Sequence, residues 1–369
     1  MNHLLYEYSL CSALSLMLFF GAYFLLGKTP DRDIFDNYRR SRRIMGTALL
    51  VLSANYLVHV LYGIRFRNHY AAILMNLSTY CLCYWLFSSA LTTLLQNTYL
   101  TCRRFTIHLL IWLLYTAMSA TVLLAIPKGT LQTIGIFVLA AGLFAYGFYL
   151  ARRLILTYRR TVRLFDDTCS DDVAAYIRWL SVFTYWAAIF GIGCGLLTFL
   201  PDDYILLWIL SSIPFYIYLF CSYQNYLLFY ERVEQVLEKS TPLTAGEEDQ
   251  ETEEDDDYEN IAYRLADWMK AKGYTRPGIT IEDLSNLLDT NRTYLSRYIK
   301  ETYHASFRDW VTGLRLTQAQ HFMLEYPEWT MKQICEISGF QSLSHFTRVF
   351  TEKTGCSPAK WRKQQGENE

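Results

Sequence analysis

Long uncharged apolar stretches alternate with short charged ones between positions 1 and 230. They cover residues 4–26, 44–61, 70–95, 105–126, 131–150, 179–200 and 204–230. A helix needs about 20 apolar residues to cross the hydrocarbon core of a bilayer, and each stretch meets or approaches that length. A helix lying on a soluble core would instead carry a polar stripe every 3.6 residues. These stretches hold no Lys, Arg, Asp or Glu apart from Glu7. The pattern predicts seven transmembrane helices, the last two hinged at 201–203.

Beyond residue 260 the period changes to that of short amphipathic helices, and one pattern occurs twice. Leu295-Ser-Arg-Tyr-Ile-Lys300 aligns with Phe346-Thr-Arg-Val-Phe-Thr351, 51 residues later, and Ser306 aligns with Ser357 at the same offset. In the first module Thr280 and Asp283 form a capping box, a reciprocal pairing that satisfies free N–H groups at a helix start. Leu284, Leu287 and Leu288 make that helix's apolar face. After a turn at Asp289-Thr290, a second helix is predicted over 291–302 with Asn291 as its N-cap. It turns Leu295, Tyr298 and Ile299 inward, and Thr293, Ser296, Arg297 and Lys300 outward.

The second module repeats this logic. Thr330 and Gln333 form the capping box, Ile334 and Ile337 pack, and Gly339 makes a sharp turn that favours a left-handed residue. A helix over 342–353 points Phe346, Val349 and Phe350 inward. Ser344, Thr347, Arg348 and Thr351 point outward. A long helix over 307–324, with Phe307, Trp310, Val311 and Leu314 on one side, joins the modules. The expected fold class is all-α: a polytopic helical membrane domain over 1–230, a helix extension and acidic linker over 231–259, and a soluble double helix-turn-helix domain over 260–369.

Charge orients this arrangement. The chain carries a net charge of −1, but its segments differ. Residues 240–259 hold ten acidic residues and no Lys or Arg, and residues 260–369 carry a net +3. Lys and Arg accumulate on the cytoplasmic side of a membrane. Loops 27–43, 96–104 and 151–178 hold 14 of them, and the alternate loops 62–69, 127–130 and 201–203 hold three. The N-terminus is therefore expected outside, and the C-terminal domain in the cytoplasm. Residues 1–8 lack Lys and Arg, so the first span is read as a retained helix rather than a cleaved signal.

Residues 231–239 extend the last span, with Val233, Val236 and Leu237 on one face as a seam for a second copy of the chain. The acidic run 247–259 lacks a packing pattern and is expected to be an extended, solvated linker. It is an inert spacer, or it competes with DNA for the basic face. Within the spans, Asn55, His59, Asn76, His108 and Gln224 are either ligand contacts or interhelical hydrogen-bonding groups. The nine cysteines are scattered, without metal-ligand spacing or a disulfide framework. No metal, cofactor or catalytic residue is expected: the chain has no phosphate-cradling glycine loop, HExxH or nucleophile elbow.

The outward face of each second helix suits direct readout. A helix fits the major groove, where a guanidinium can donate two hydrogen bonds to guanine. Hydroxyls and lysines position the helix on phosphates. The stretches IEDLSNLLDTNRTYLSRYIKE, RLTQAQHFML and ICEISGFQSLSHFTRVFTEKTGCSPAKWR make residues 279–363 resemble the C-terminal DNA-binding domain of the AraC/XylS family of bacterial transcription regulators. The resemblance implies promoter binding, and base-facing positions at Thr293, Ser296 and Arg297 and at Leu343, Ser344, His345, Thr347 and Arg348. Tyr303 stands where the family's first module usually has glycine, and Leu343 is apolar where contacts are often polar. The family's usual soluble sugar-binding domain is absent, and seven predicted spans stand in its place.

The expected function is a membrane-bound, sequence-specific transcription regulator, a multi-pass protein of the bacterial inner membrane as the resemblance implies, whose membrane domain senses or anchors. The alternative is a transporter or membrane enzyme carrying a regulatory DNA-binding tail. Expected partners are promoter DNA and the lipid bilayer. RNA polymerase, a second copy of the chain and an unknown ligand of the membrane domain are further candidates.

Overall fold

The computed structural model describes residues 3–96, 98–197, 203–240 and 254–366. All regular structure among them is helical. Helices α1 (His3–Leu26), α2 (Asp36–Tyr62), α4 (His69–Leu95), α5 (Cys102–Ala120), α6 (Thr130–Thr168), α7 (Arg178–Leu197) and α8 (Asp203–Ser240) fall on the seven apolar stretches, and α3 (Ile64–Arg67) is a single turn between two of them. Helices α9 (Glu254–Lys270), α10 (Ile281–Leu287), α11 (Arg292–Tyr303), α12 (Phe307–Glu325), α13 (Met331–Ile337), α14 (Leu343–Thr354) and α15 (Pro358–Gly366) follow. The chain packs as two units: Met1–Arg160 with Ile177–Gln235, and Thr161–Tyr176 with Val236–Glu369.

In the first unit α1 packs on α2, α2 on α4 and α4 on α5. Five helices among the described residues are long and apolar enough to cross a membrane: Glu7–Leu26, Asp33–Tyr62, His69–Leu95, Cys102–Ala125 and Thr130–Thr168. The expected hinge at 201–203 lies outside the described residues except for Asp203, which opens α8. Large apolar side chains stand outward on α5 and α6, among them Leu114 (63% exposed), Phe137 and Phe148 (both 71%).

Each of the polar groups singled out within the apolar stretches has a hydrogen-bond partner on another helix. Asn55 Nδ2 donates to Asn76 Oδ1 at 3.2 Å and to Thr79 Oγ1 at 3.0 Å, and His59 Nε2 lies 3.0 Å from the same Asn76 oxygen, tying α2 to α4. His108 Nδ1 meets the Tyr146 hydroxyl at 2.9 Å across α5 and α6. The Tyr23 hydroxyl donates to Gln224 at 3.4 Å. At the base of α8, buried Glu234 accepts from Asn37 at 3.2 Å and from Tyr230 at 2.6 Å.

A cavity of about 460 Å³ opens in this unit, lined by Tyr56, Tyr84, Phe87, Phe148, Phe183 and Phe215 among others. None of the five polar residues predicted as candidate ligand contacts lines it.

In the predicted pairing seam Val233 is fully buried and Leu237 is 7% exposed within the single chain. Val236, the third residue of the stripe, is half-buried. Of the acidic run, residues 247–253 lie outside the described residues, and 254–259 form the first turns of α9 rather than an extended linker.

Candidate nucleic-acid interface

Local capping rules build both modules as the sequence predicts. Thr280 Oγ1 accepts from the Asp283 N–H at 3.1 Å, and Asp283 accepts from the Thr280 N–H at 3.0 Å. Thr330 and Gln333 repeat the exchange at 3.2 and 2.9 Å. Asn291 caps α11 by accepting from the Thr293 N–H at 2.7 Å, and Ser342 caps α14 by accepting from the His345 N–H at 3.2 Å. The aligned pair Ser306 and Ser357 plays one role twice, each accepting at the start of the helix that follows.

The two turns differ by one residue. Helix α13 begins 50 residues after α10, whereas α14 begins 51 after α11. The left-handed residue is Asp289 (φ 52°) in the first turn and Gly339 (φ 88°) in the second. Only glycine fits the second, because a Cβ there would lie 2.4 Å from the Thr275 carbonyl oxygen. The helix ends also correspond. Gly355 (φ 78°) ends α14, and its counterpart ending α11 is His304 (φ 51°). The departure from glycine therefore sits at His304, one residue beyond the Tyr303 expected from the resemblance.

Two cores flank α12. Ile261, Leu265, Trp268, Leu284, Leu288, Leu295 and Ile299 pack with Phe307, Trp310 and Val311 at its start. Ile334, Phe340, Phe346, Val349 and Phe350 pack with Leu316, Ala319 and Met323 further along. One rigid helix thus serves both modules. Two apolar expectations fail at equivalent positions: Leu287 is 62% exposed and Ile337 is 46% exposed. Each is the last residue of its helix, rotated off the stripe that Ile281, Leu284 and Leu288, or Ile334, turn inward.

The outward faces stand where they were expected. Thr293, Arg297 and Lys300 are exposed on α11, with Ser296 half-buried. Leu343, Ser344, Arg348 and Thr351 are exposed on α14, with Thr347 half-buried. The Arg297 guanidinium lies 5.8 Å from the Tyr294 ring centre. His345 turns partly inward. Its ring meets Phe340 edge-on at 5.9 Å, and its Nε2 is enclosed with no hydrogen-bond partner among the described residues. Burial holds its pKa below the usual histidine value, with Arg308 and Arg348 adding to the depression and Asp172 and Asp171 opposing it.

Sequence reasoning did not single out Asp166, Asp167, Asp171 and Asp172, which end α6 and follow it. Within the second unit each carboxylate meets a cation of the helix-turn-helix region. Asp166 pairs with Arg308 at 2.7 Å, and Asp167 with Lys300 at 2.8 Å. Asp171 pairs with Arg315 at 3.3 Å. Asp172 pairs with Arg308 at 3.1 Å and also with Arg348. The backbone joins in: the Ser170 N–H donates to the Ile279 carbonyl at 3.1 Å. Arg292 donates to Thr168 Oγ1 at 3.3 Å.

Arg315 is 1% exposed and also donates to the Tyr274 and Arg276 carbonyls at 2.8 Å each. Burial pushes its pKa down and Asp171 opposes the shift. One signal for the acidic segment lay in the charge pattern: four acids sit inside one of the two most basic loops of the chain. An orientation count that uses only Lys and Arg passes over them.

Residues 284–364 match a helix-turn-helix domain family. The "Uncharacterized HTH-type transcriptional regulator YobQ" of Bacillus subtilis is 34% identical over 84 residues, 23% of this chain and 34% of that protein. The "Msm operon regulatory protein" of Streptococcus mutans is 26% identical over 86 residues, 23% of this chain and 31% of that one. The "Probable transcription factor PqrA" of Proteus vulgaris is 26% identical over 104 residues, 28% of this chain and 84% of that one. The chain thus spans about a third of the length of the first two. No solved structure matches the chain. The C-terminal region is a helix-turn-helix domain of AraC type.

Proposed function

We propose that this chain is a membrane-bound transcription regulator whose two C-terminal modules read promoter DNA. The observation that carries the reading is the duplication of one capped helix, with Arg297 and Arg348 outward at equivalent positions on α11 and α14. Each helix would enter the major groove and set an arginine against guanine. The two modules, joined by α12, would meet successive groove segments about 34–36 Å apart. Thr293, Ser296, Lys300, Leu343, Ser344, His345 and Thr347 complete the proposed contact set. RNA polymerase is the proposed partner at the promoter.

The membrane reading is supported by five helices of spanning length and apolarity and by the outward Leu114, Phe137 and Phe148. Water penalises such side chains and hydrocarbon does not. The loop charges support a cytoplasmic DNA-binding domain under this reading. A sensing role is supported by the aromatic-lined cavity, which has room for an apolar ligand.

The full chain, reconstituted in lipid nanodiscs, should enrich a bipartite site from random DNA, with half-motifs about one helical turn apart. Absence of any enriched sequence refutes the regulator reading. Membrane residence is checked separately: resistance to alkaline extraction is expected, and full release overturns it. Ala187→Phe, which narrows the cavity, should lock transcriptional output at one level. An unaltered response to growth conditions would favour a plain anchor.

A further inference from the structure

We infer that residues 166–172 are an autoinhibitory clasp that holds the DNA-reading cations of both modules. The inference rests on the DNA-binding reading above. It is carried by which cations the segment takes. Lys300 lies on the outward face of α11 and Arg348 on that of α14, the two faces proposed to enter DNA. Asp167 binds the first and Asp172 the second. Between them, Asp166 and Asp172 both hold Arg308 near the start of α12. One short stretch therefore reaches α11, α12 and α14 together.

Its chemistry is that of a phosphate backbone. Four carboxylates present oxygen acceptors to Lys and Arg side chains, as DNA phosphates do. A cation held by a carboxylate cannot bind a phosphate or a guanine edge at the same time. DNA must displace Asp167 and Asp172 before Lys300 and Arg348 can contact it, so the apparent affinity is the open-state affinity multiplied by the fraction of time the clasp is open.

The segment is anchored asymmetrically, as a releasable strap should be. Asp171 and Ser170 are fixed: Arg315 is buried, and it takes the Asp171 carboxylate at 3.3 Å and the Ser170 hydroxyl at 3.2 Å. Lys300 and Arg348 are themselves 49% and 45% exposed, so other anions can reach both cations, although the Asp172 carboxylate is 11% exposed. Residues 161–168 are also the last two turns of α6, which begins at Thr130 in the other unit. A change in α6 would thus reach the clasp through the chain itself. Opening it is the step that a signal would control.

The test uses the full chain in nanodiscs and the DNA site selected from the random pool. Asp167→Asn with Asp172→Asn leaves the Asp171–Arg315 anchor intact. It should tighten binding about tenfold at fixed ionic strength. In the wild-type chain, saturating DNA should speed amide hydrogen exchange at Asp167 and Asp172, whose carboxylates are displaced, and leave the anchored Ser170 amide slow. Unchanged or weaker DNA binding in the double variant overturns the clasp, as does unchanged or slower exchange at Asp167 and Asp172 when DNA binds. Failure of the regulator reading looks different: no site is selected at all, and Arg348→Ala has no effect on affinity.

Discussion

Arg348 on the outward face of α14 is ion-paired with Asp172, 176 residues earlier in the chain. The same carboxylate also reaches Arg308 on α12 at 3.1 Å. The arginine proposed to read a base is thus engaged by a carboxylate of its own chain.

Arg348→Ala should cost about 1–3 kcal/mol of binding free energy at the selected site and much less on random DNA. Fluorescence anisotropy on the two DNAs measures both. Equal losses on both would make Arg348 a phosphate contact and leave Arg297 as the base reader.

His304 holds a left-handed conformation that its counterpart Gly355 adopts without a Cβ. His304→Gly should therefore stabilise the helix-turn-helix region by about 1 kcal/mol, and Gly355→Ala should destabilise it by a similar amount. Denaturant unfolding followed by hydrogen exchange of α11 and α14 reports both. A destabilised His304→Gly protein would mean that the imidazole itself makes a stabilising contact.

Thr280→Ala and Thr330→Ala each remove one half of a capping box. Each should cost about 1 kcal/mol, and serine should restore most of it. Near-equal losses at the two sites are the expected outcome, because the paired bonds are alike: 3.1 and 3.0 Å in the first box, 3.2 and 2.9 Å in the second. A loss at only one site would show that its helix start is held by tertiary packing instead.

Acid should weaken the second module through His345. Burial depresses its pKa in the folded state below the ordinary 6.5, so the unfolded chain takes up a proton that the folded chain refuses. Stability from this group is complete above about pH 6.5 and is lost as pH falls towards the depressed value. The groups facing the ring are Arg308, Arg348, Asp171 and Asp172. A His345→Gln protein should show a flatter stability profile between about pH 7.5 and 5.5, in the range where His titrates. Parallel profiles for the two proteins would remove His345 as the cause.

Leu114→Arg places a charge on an outward face of α5. In a bilayer it should disfavour insertion by about 2.5–3.5 kcal/mol if it lies near the centre, and lower the membrane-integrated fraction. Membrane fractionation after expression measures that fraction. A variant integrated as fully as the wild type would mean that this face does not meet lipid.

Much of the second unit was legible because its rules are local. Thr280 finds Asp283, Thr330 finds Gln333 and Asn291 finds Thr293 within one turn, whatever the rest of the chain does. Helical periodicity likewise sorted Leu295 and Ile299 from Arg297 and Lys300, and Phe346 and Phe350 from Arg348. The seven apolar stretches became helices at or near the expected positions for the same reason, since a long unbroken apolar run needs no partner to be read.

Positions set by distant neighbours were not legible. Leu287 and Ile337 fit the apolar face of a helix on paper, but the core closes on one side of each stripe and leaves them outside. The half-buried setting of His345 against Phe340 was likewise not readable from its place on the outward face. Asn55, His59 and Asn76 were read as ligand contacts or interhelical hydrogen-bonding groups, and only the packing of α2 on α4 puts Asn55 and His59 each within 3.2 Å of Asn76.

By itself the sequence determined the helices, their caps, the duplicated module and the outward arginines, all consequences of contacts within a few residues. Only the tertiary structure decided what those cations touch. Asp167 lies 133 residues from Lys300, and Asp172 lies 176 from Arg348. No periodicity spans such distances: which carboxylate meets which cation is settled by long-range packing, where backbone contacts such as Ser170 to Ile279 and the buried Arg315 fix the register.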